Sequence, residues 1–230
     1  MTCKDQPAGA KFLCRLAECR SGLALTEFAL AMPLLFTVGL MGLEVANLAI
    51  TQMKISQVAL HIADNASRVG DTSQLENRRI YESDINDVLI GANIQAGGSI
   101  DLFEHGRVII SSLEVVPDTE EQQYIHWQRC MGRKNHESSY GVEGDGLVGD
   151  MAGMGPAGQE VIAFEDEAVI FVEVVYDYQP LLGDLYSIGN TLTATAAFNV
   201  RDDRDLTQIY QRDPLAPDTT ADCAAFTAPS

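Results

Sequence analysis

Residues 23–43 read LALTEFALAMPLLFTVGLMGL, and residues 44–70 continue as EVANLAITQMKISQVALHIADNASRVG. The first stretch has 21 residues and one charge, Glu27. At 1.5 Å per residue a helix over it is roughly 31 Å long, about one bilayer core. The second stretch has a different pattern. Val45, Leu48, Ile55, Ala59, Ile62, Ala66 and Val69 recur at helical spacing, with Gln52 breaking the stripe and polar residues on the other faces. Together the two patterns predict one continuous helix of about 45 residues, membrane-embedded first and amphipathic second. Gly70 suits its C-terminal cap. Pro33 lacks a backbone donor and is expected to kink or locally break the first half.

Charge gives the helix a direction. The chain has 33 acidic and 15 basic residues, a formal charge of −18. Residues 1–22 hold four basic residues (Lys4, Lys11, Arg15, Arg20) against Asp5 and Glu18, which leaves 11 basic and 31 acidic residues, or −20, beyond them. The positive-inside rule then predicts a cytoplasmic N-terminus and an external C-terminal part. The acidity argues against nucleic acid as a partner, because phosphates need Lys and Arg, and against docking on an anionic lipid surface. A 46% hydrophobic content is too high for a disordered acidic chain.

Cysteine placement agrees with that direction. Cys3, Cys14 and Cys19 precede the apolar run, on the reducing side. Cys130 and Cys223 follow it, and two is the number one disulfide needs. Two unrelated free thiols are the alternative.

Beyond Gly70, Ser73 and Glu76 match a capping box, and Ser83 is a candidate cap for a short helix through Val88, Leu89 and Ala92. Gly91 and Gly97-Gly98 are expected to close that region. Strands are predicted over Arg107–Val116, Tyr124–Arg129 (the two forming a hairpin), Ala168–Tyr178 and Thr191–Arg201. In the last, Leu192, Ala194, Ala196, Phe198 and Val200 face one way, and Thr191, Thr193, Thr195 and Asn199 the other. That apolar face needs a cover, and the amphipathic end of the long helix is the available one. Residues 132–160 read as a long, flexible, Gly-rich loop. The Pro-, Thr- and Ala-rich tail after Asp213 reads as poorly ordered unless Cys223 ties it down.

The motifs that suggest chemistry are weak. Gly144–Gly149 and Gly153–Gly158 both match G-x-G-x-x-G, but neither has the strand before and helix after that a phosphate site requires. His136-Glu137 is not followed by a second histidine at zinc-protease spacing, and His61, His105, His126 and His136 show no ligand spacing. Glu165-Asp166-Glu167 and Asp202-Asp203-Arg204-Asp205 lack the alternation of a calcium loop and read as solvated turns. There is no G-x-S-x-G elbow. No metal, cofactor or catalytic residue is expected.

Glu27 needs an explanation, since a carboxylate inside an apolar span costs on the order of 2–3 kcal/mol near its middle and less toward an end. A cut after Gly22 would give Leu23 a new α-ammonium one helical turn from Glu27, near the positive end of the helix dipole. A neighbouring subunit's ammonium would serve equally well. A plain anchor whose Glu27 snorkels to the interface is the competing reading. The order Gly22, then Glu27-Phe28 and an apolar run resembles the prepilin-peptidase site of type IV pilin-like proteins. The segment from Gly22 to Ile50 is similar to the N-terminus of the TadE-like pseudopilins of the Tad (Flp pilus) system. Those carry an E-F-A-L-x-x-P-L-L pattern, here Glu27, Phe28, Ala29, Leu30, Pro33, Leu34 and Leu35; Phe28 stands where many such proteins have Tyr. The similarity covers about the first 70 residues and fades after Ala66-Ser67-Arg68-Val69-Gly70.

The expected fold is therefore α+β and, by this resemblance, pilin-like: a long N-terminal helix, transmembrane then amphipathic, packed on a small antiparallel sheet. The expected segments are a leader at 1–22, a transmembrane helix at 23–43, its amphipathic extension at 44–70, an external α+β domain at 71–213 and a flexible tail at 214–230. The resemblance implies a structural minor pseudopilin or assembly component, not an enzyme. A prepilin peptidase would cut between Gly22 and Leu23, and Glu27 and Phe28 would act in recognition and assembly. Its partners would be other Tad pilins and pseudopilins, the inner-membrane assembly platform and membrane lipid. It would sit in a bacterial inner membrane as a single-pass protein with a periplasmic domain. An unprocessed membrane-anchored scaffold or adhesin, and a tethered enzyme, are the alternatives. A secretory signal peptide fits less well, because Ala29-Leu30-Ala31 lies inside the apolar run.

Overall fold

The computed structural model describes residues 21–70, 77–183, 191–200 and 204–228, with side chains from Ala24 onward. Residues 1–20 of the expected leader, with Cys3, Cys14 and Cys19, the expected Ser73–Glu76 capping box and Asp202-Asp203 lie outside the described residues. The expected α+β arrangement is the observed one. Helix α1 (Ser21–Arg68) is a single 48-residue helix, and it runs through Pro33 without interruption. Helices α2 (Glu82–Ala96) and α3 (Leu102–His105) follow. Strands β1 (Gly106–Val115), β2 (Gln123–Met131), β3 (Ala168–Asp177) and β4 (Thr191–Asn199) form one antiparallel sheet in the order β2-β1-β3-β4.

Period-2 alternation splits the sheet into two faces. Val108, Ile110, Trp127, Ile170, Val172, Val174, Leu192, Ala194 and Ala196 point to one of them. Against it lie Ile55, Val58, Ala59, Ile62, Ala63 and Ala66 of α1 and Ile85, Leu89 and Ala92 of α2. The amphipathic half of the long helix is thus the cover that the β4 alternation required. The buried stripe departs from the expected one at its head: Val45 is exposed, and Glu44 and Thr51 take the buried positions instead.

Two other expectations are corrected at α2. The helix begins at Glu82 with Tyr81 as its N-cap residue, not at Ser83, because the Asp84 carboxylate reaches back to accept the Tyr81 N–H at 3.2 Å. Gly91 is an interior helical residue, and Gly97 alone ends the helix, at φ 79°. Arg129 of β2 fixes the start of α2 through a bidentate pair with the buried Glu82, Nη2 to Oε1 at 2.7 Å and Nε to Oε2 at 3.0 Å. The C-terminus of α1 is capped from a distance. Arg204 donates through Nη2 to the carbonyls of Ala66 at 3.1 Å and Val69 at 2.6 Å, where a cation also meets the negative end of the dipole.

The other sheet face is covered as well. Residues 132–164 fold back over it and enclose a second apolar cluster of Leu113, Ile125, Met154, Ala163, Val169 and Phe171. The Gly-rich segment is therefore not a free spacer. Gly146 (φ +91°) lies so close to β2 that a Cβ there would sit 2.1 Å from the Gln123 carbonyl oxygen, and one at Gly153 (φ +136°) would sit 2.3 Å from that of Val161. Only glycine allows these approaches. Gly146 in the first G-x-G-x-x-G match and Gly153 in the second serve packing, and no helix follows either match.

The tail is likewise held. Cys130 and Cys223 are joined, with a Cα–Cα distance of 4.7 Å. Cys130 N–H donates to the Ala221 carbonyl and Gly132 N–H to that of Thr227, each at 2.8 Å. Nearer the start of β2, Ile125 exchanges backbone bonds with Asp145 and Gly144. Tail and loop together cover the outer edge of β2, which would otherwise be open to strand pairing.

Candidate functional site: the uncovered helix and its polar collar

Strand and helix packing ends at residue 44, and α1 continues N-terminally with no other element packed around it among the described residues. Leu25, Phe28, Leu30, Leu34, Leu35, Phe36, Val38, Met41 and Leu43 are all exposed. The helix is long and apolar enough to cross a membrane. Exposure of this much contiguous apolar surface to water is strongly unfavourable, so this segment requires lipid or other helices around it. Gly22 and Leu23 lie in its first turn. Glu27 and Phe28 are exposed on the helix surface one turn further on. At Pro33 the carbonyl accepts the Thr37 hydroxyl at 2.7 Å.

The junction with the sheet domain is a collar built on Glu44. Glu44 is 3% exposed, and its carboxylate has no cation within ion-pair distance among the described residues. It is solvated by donors instead. The Tyr178 hydroxyl donates to Oε1 at 2.6 Å, Leu181 N–H to Oε2 at 3.1 Å and Leu182 N–H to Oε2 at 3.2 Å. Asn47 Nδ2 in turn donates to the Tyr178 oxygen at 2.7 Å. Burial, then the Glu44 bond, raises the Tyr178 pKa, which keeps this hydroxyl a donor. Neither Glu44 nor Tyr178 was identifiable as a site from sequence. The available signal was the position of Glu44, the first charge after the apolar run and in register with Leu48, Thr51 and Ile55.

No family model, curated protein or solved structure matches this chain. The chemistry of the sheet domain must then be judged on geometry.

One constellation has the residue types of a hydrolytic centre. The buried Glu173 carboxylate accepts from the Ser139 hydroxyl at 2.6 Å and from Ser139 N–H at 3.0 Å, and lies 3.1 Å from His136 Nε2. Ser139 Oγ is 3.4 Å from the same Nε2. A triad needs the carboxylate on one imidazole nitrogen and the nucleophile on the other. Here both share one nitrogen, and the serine already gives its proton to the carboxylate. The arrangement pins residues 136–139 onto the sheet. Among the described residues, no three His, Cys, Asp or Glu side chains are grouped to hold a metal ion.

A second buried carboxylate makes a pH-dependent contact. Glu114 accepts the Ser112 hydroxyl at 2.7 Å, and its other oxygen is 2.9 Å from His126 Nδ1. The hydrogen bond to Glu114 raises the His126 pKa, opposed by partial burial and assisted by the charges of Glu114 and Glu143. Burial, then the same Glu114 charge, pushes the Tyr124 hydroxyl up to about 12. A raised folded-state pKa means that protonation favours the fold. The His126 contribution is fully present below the unfolded value of about 6.5 and is lost as pH rises through the folded value. The expected result is a wild-type advantage over His126→Gln in urea unfolding that is larger near pH 5.5 than near pH 8. An advantage that does not change with pH, or an imidazole NMR titration midpoint at or below about 6.5, would refute the assignment.

Proposed function

We propose that this protein is a structural subunit, a pseudopilin-like component of a Tad-type pilus or of its assembly base. In this reading it is made with a cytoplasmic leader that a prepilin peptidase removes after Gly22, and its sheet domain lies on the periplasmic side of an inner membrane. The observation that carries the reading is the N-terminal half of α1. It is an uncovered apolar helix with a single carboxylate, Glu27, five residues after a glycine that follows a basic segment. A plain anchor needs no carboxylate there. A helix that later packs against other subunits gains a partner for an amine in an apolar setting, where an unpaired charge is expensive. The Cys130–Cys223 bond supports an oxidising compartment for the sheet domain. The partners are then the peptidase, other pilins and pseudopilins, the assembly platform and membrane lipid. The protein is substrate to the peptidase and is itself no enzyme.

The test is intact-mass and N-terminal analysis of membrane-extracted protein. Wild type is expected to begin at Leu23. Gly22→Val, which crowds the scissile bond, is expected to retain the leader. Glu27→Leu removes a costly charge, so abundance and topology should be normal while pilus assembly fails. Wild-type protein that keeps residues 1–22 in its native host would overturn the processing. A processed Glu27→Leu protein supporting wild-type pili would leave Glu27 as an interfacial charge of a plain anchor.

A further inference from the structure

The collar has an exposed side. Glu44 is adjacent to the last residue of the apolar span, and its carboxylate holds the backbone N–H groups of Leu181 and Leu182 at 3.1 and 3.2 Å. The turn at 180–183 is therefore fixed at the axial level where the span ends. Within that turn Pro180 and Leu182 are half-buried, while Leu181 is 59% exposed. The carboxylate takes up the polar backbone of the turn and leaves its apolar side chain facing outward. Such a combination, satisfied backbone and unsatisfied apolar surface, is suited to a boundary between water and hydrocarbon.

We infer that the Pro180-Leu181-Leu182 turn is a membrane foot, with Leu181 seated in the interfacial region of the leaflet from which α1 emerges. The inference rests on the membrane-spanning reading of α1. Its occupant is the apolar boundary of a zwitterionic bilayer rather than an anionic headgroup, because the chain beyond residue 22 carries a net −20 and the turn itself has no Lys or Arg. The foot gives the sheet domain a second attachment beside the helix. A single helix leaves a domain free to swing, whereas two attachments at one level fix its tilt. Glu44 is the positioning residue, since it sets the height of the turn without touching lipid.

The test uses tryptophan as a depth probe in the full chain reconstituted into phosphatidylcholine vesicles. The native protein has one tryptophan, Trp127, buried between the sheet and the helices, and its emission is the background. Two variants are made, Leu181→Trp at the foot and Leu34→Trp in the span, both at exposed positions that leave the core intact. Each is measured with lipids brominated high on the acyl chain or near its methyl end. The expected result is that Leu181→Trp loses emission to the shallow bromines more than to the deep ones, and that Leu34→Trp is quenched by the deep ones. If Leu34→Trp is quenched and Leu181→Trp is not, the foot is overturned and the spanning helix stands. If neither is quenched, the membrane reading fails and the foot fails with it.

Discussion

The Cys130→Ser/Cys223→Ser double variant is expected to lose about 4–5 kcal/mol of unfolding free energy, because the bond closes a loop spanning 93 positions. For a domain of this size that corresponds to a fall in Tm on the order of 10–15 °C. The tail that the bond holds also covers the β2 edge through Ala221 and Thr227, so that edge should open in the variant as well. Thermal melts of the full chain in detergent, with and without reductant, measure it. Limited proteolysis provides a second readout, with new cleavage expected after Asp213 in the variant alone. A Tm change of a few degrees and an uncut tail would show that the backbone bonds alone hold residues 214–228.

Arg107→Met is expected to cost about 3–4 kcal/mol, the range for removing one partner of a buried charged network. Arg107 is 1% exposed on β1. Its guanidinium donates to the carbonyls of Gly132 at 3.1 Å, Cys223 at 2.5 Å and Ala225 at 3.3 Å, and lies 4.2 Å from the Phe226 ring centroid. Burial pulls its pKa below the usual arginine range, opposed by the Asp222 charge. Methionine fills similar volume but leaves three carbonyls without their donors. Because two of those carbonyls belong to the tail, the effect must couple to the disulfide. In the Cys130→Ser/Cys223→Ser background the same substitution should cost much less, since the tail already detaches. Equal costs in the two backgrounds would show that Arg107 acts within the sheet rather than as a latch.

These two effects lie in the region that was hardest to read from sequence. The long helix was legible because its 3.6-residue pattern repeats over many turns from Leu48 to Ala66, and β4 because its alternation is strict. Glu44 was missed as a core position because hydropathy assigns a carboxylate to solvent. Its burial depends on Tyr178 and on two N–H groups more than 130 positions away. Ser83 reads as a cap because serine is a good side-chain acceptor, whereas the helix starts after Tyr81, whose N–H the Asp84 carboxylate reaches back to accept. The Gly-rich segment and the tail read as loose because their composition is that of loose chain. The close approach of Gly146 to Gln123, and the hold of Arg107 on Cys223 and Ala225, are properties of contacts that no local window contains. For the candidate site, Gly22, Glu27 and the apolar run were visible at once, while the collar was not.

The packing of α1 also constrains the order in which the molecule folds. The helix is synthesised first, yet its apolar face from Ile55 to Ala66 is closed by β3 and β4. Gln52 bonds Thr193 across 141 positions, and Glu44 bonds Leu182 across 138. Contacts of such sequence separation carry the largest loop-closure entropy and place the chain among slow-folding topologies. Until β4 arrives, a long stripe of Ile, Val and Ala is exposed beside an already apolar segment. The nascent protein is therefore most prone to aggregation late in synthesis, when the helix is complete and its last strand is not, and a shielding factor would act in that interval.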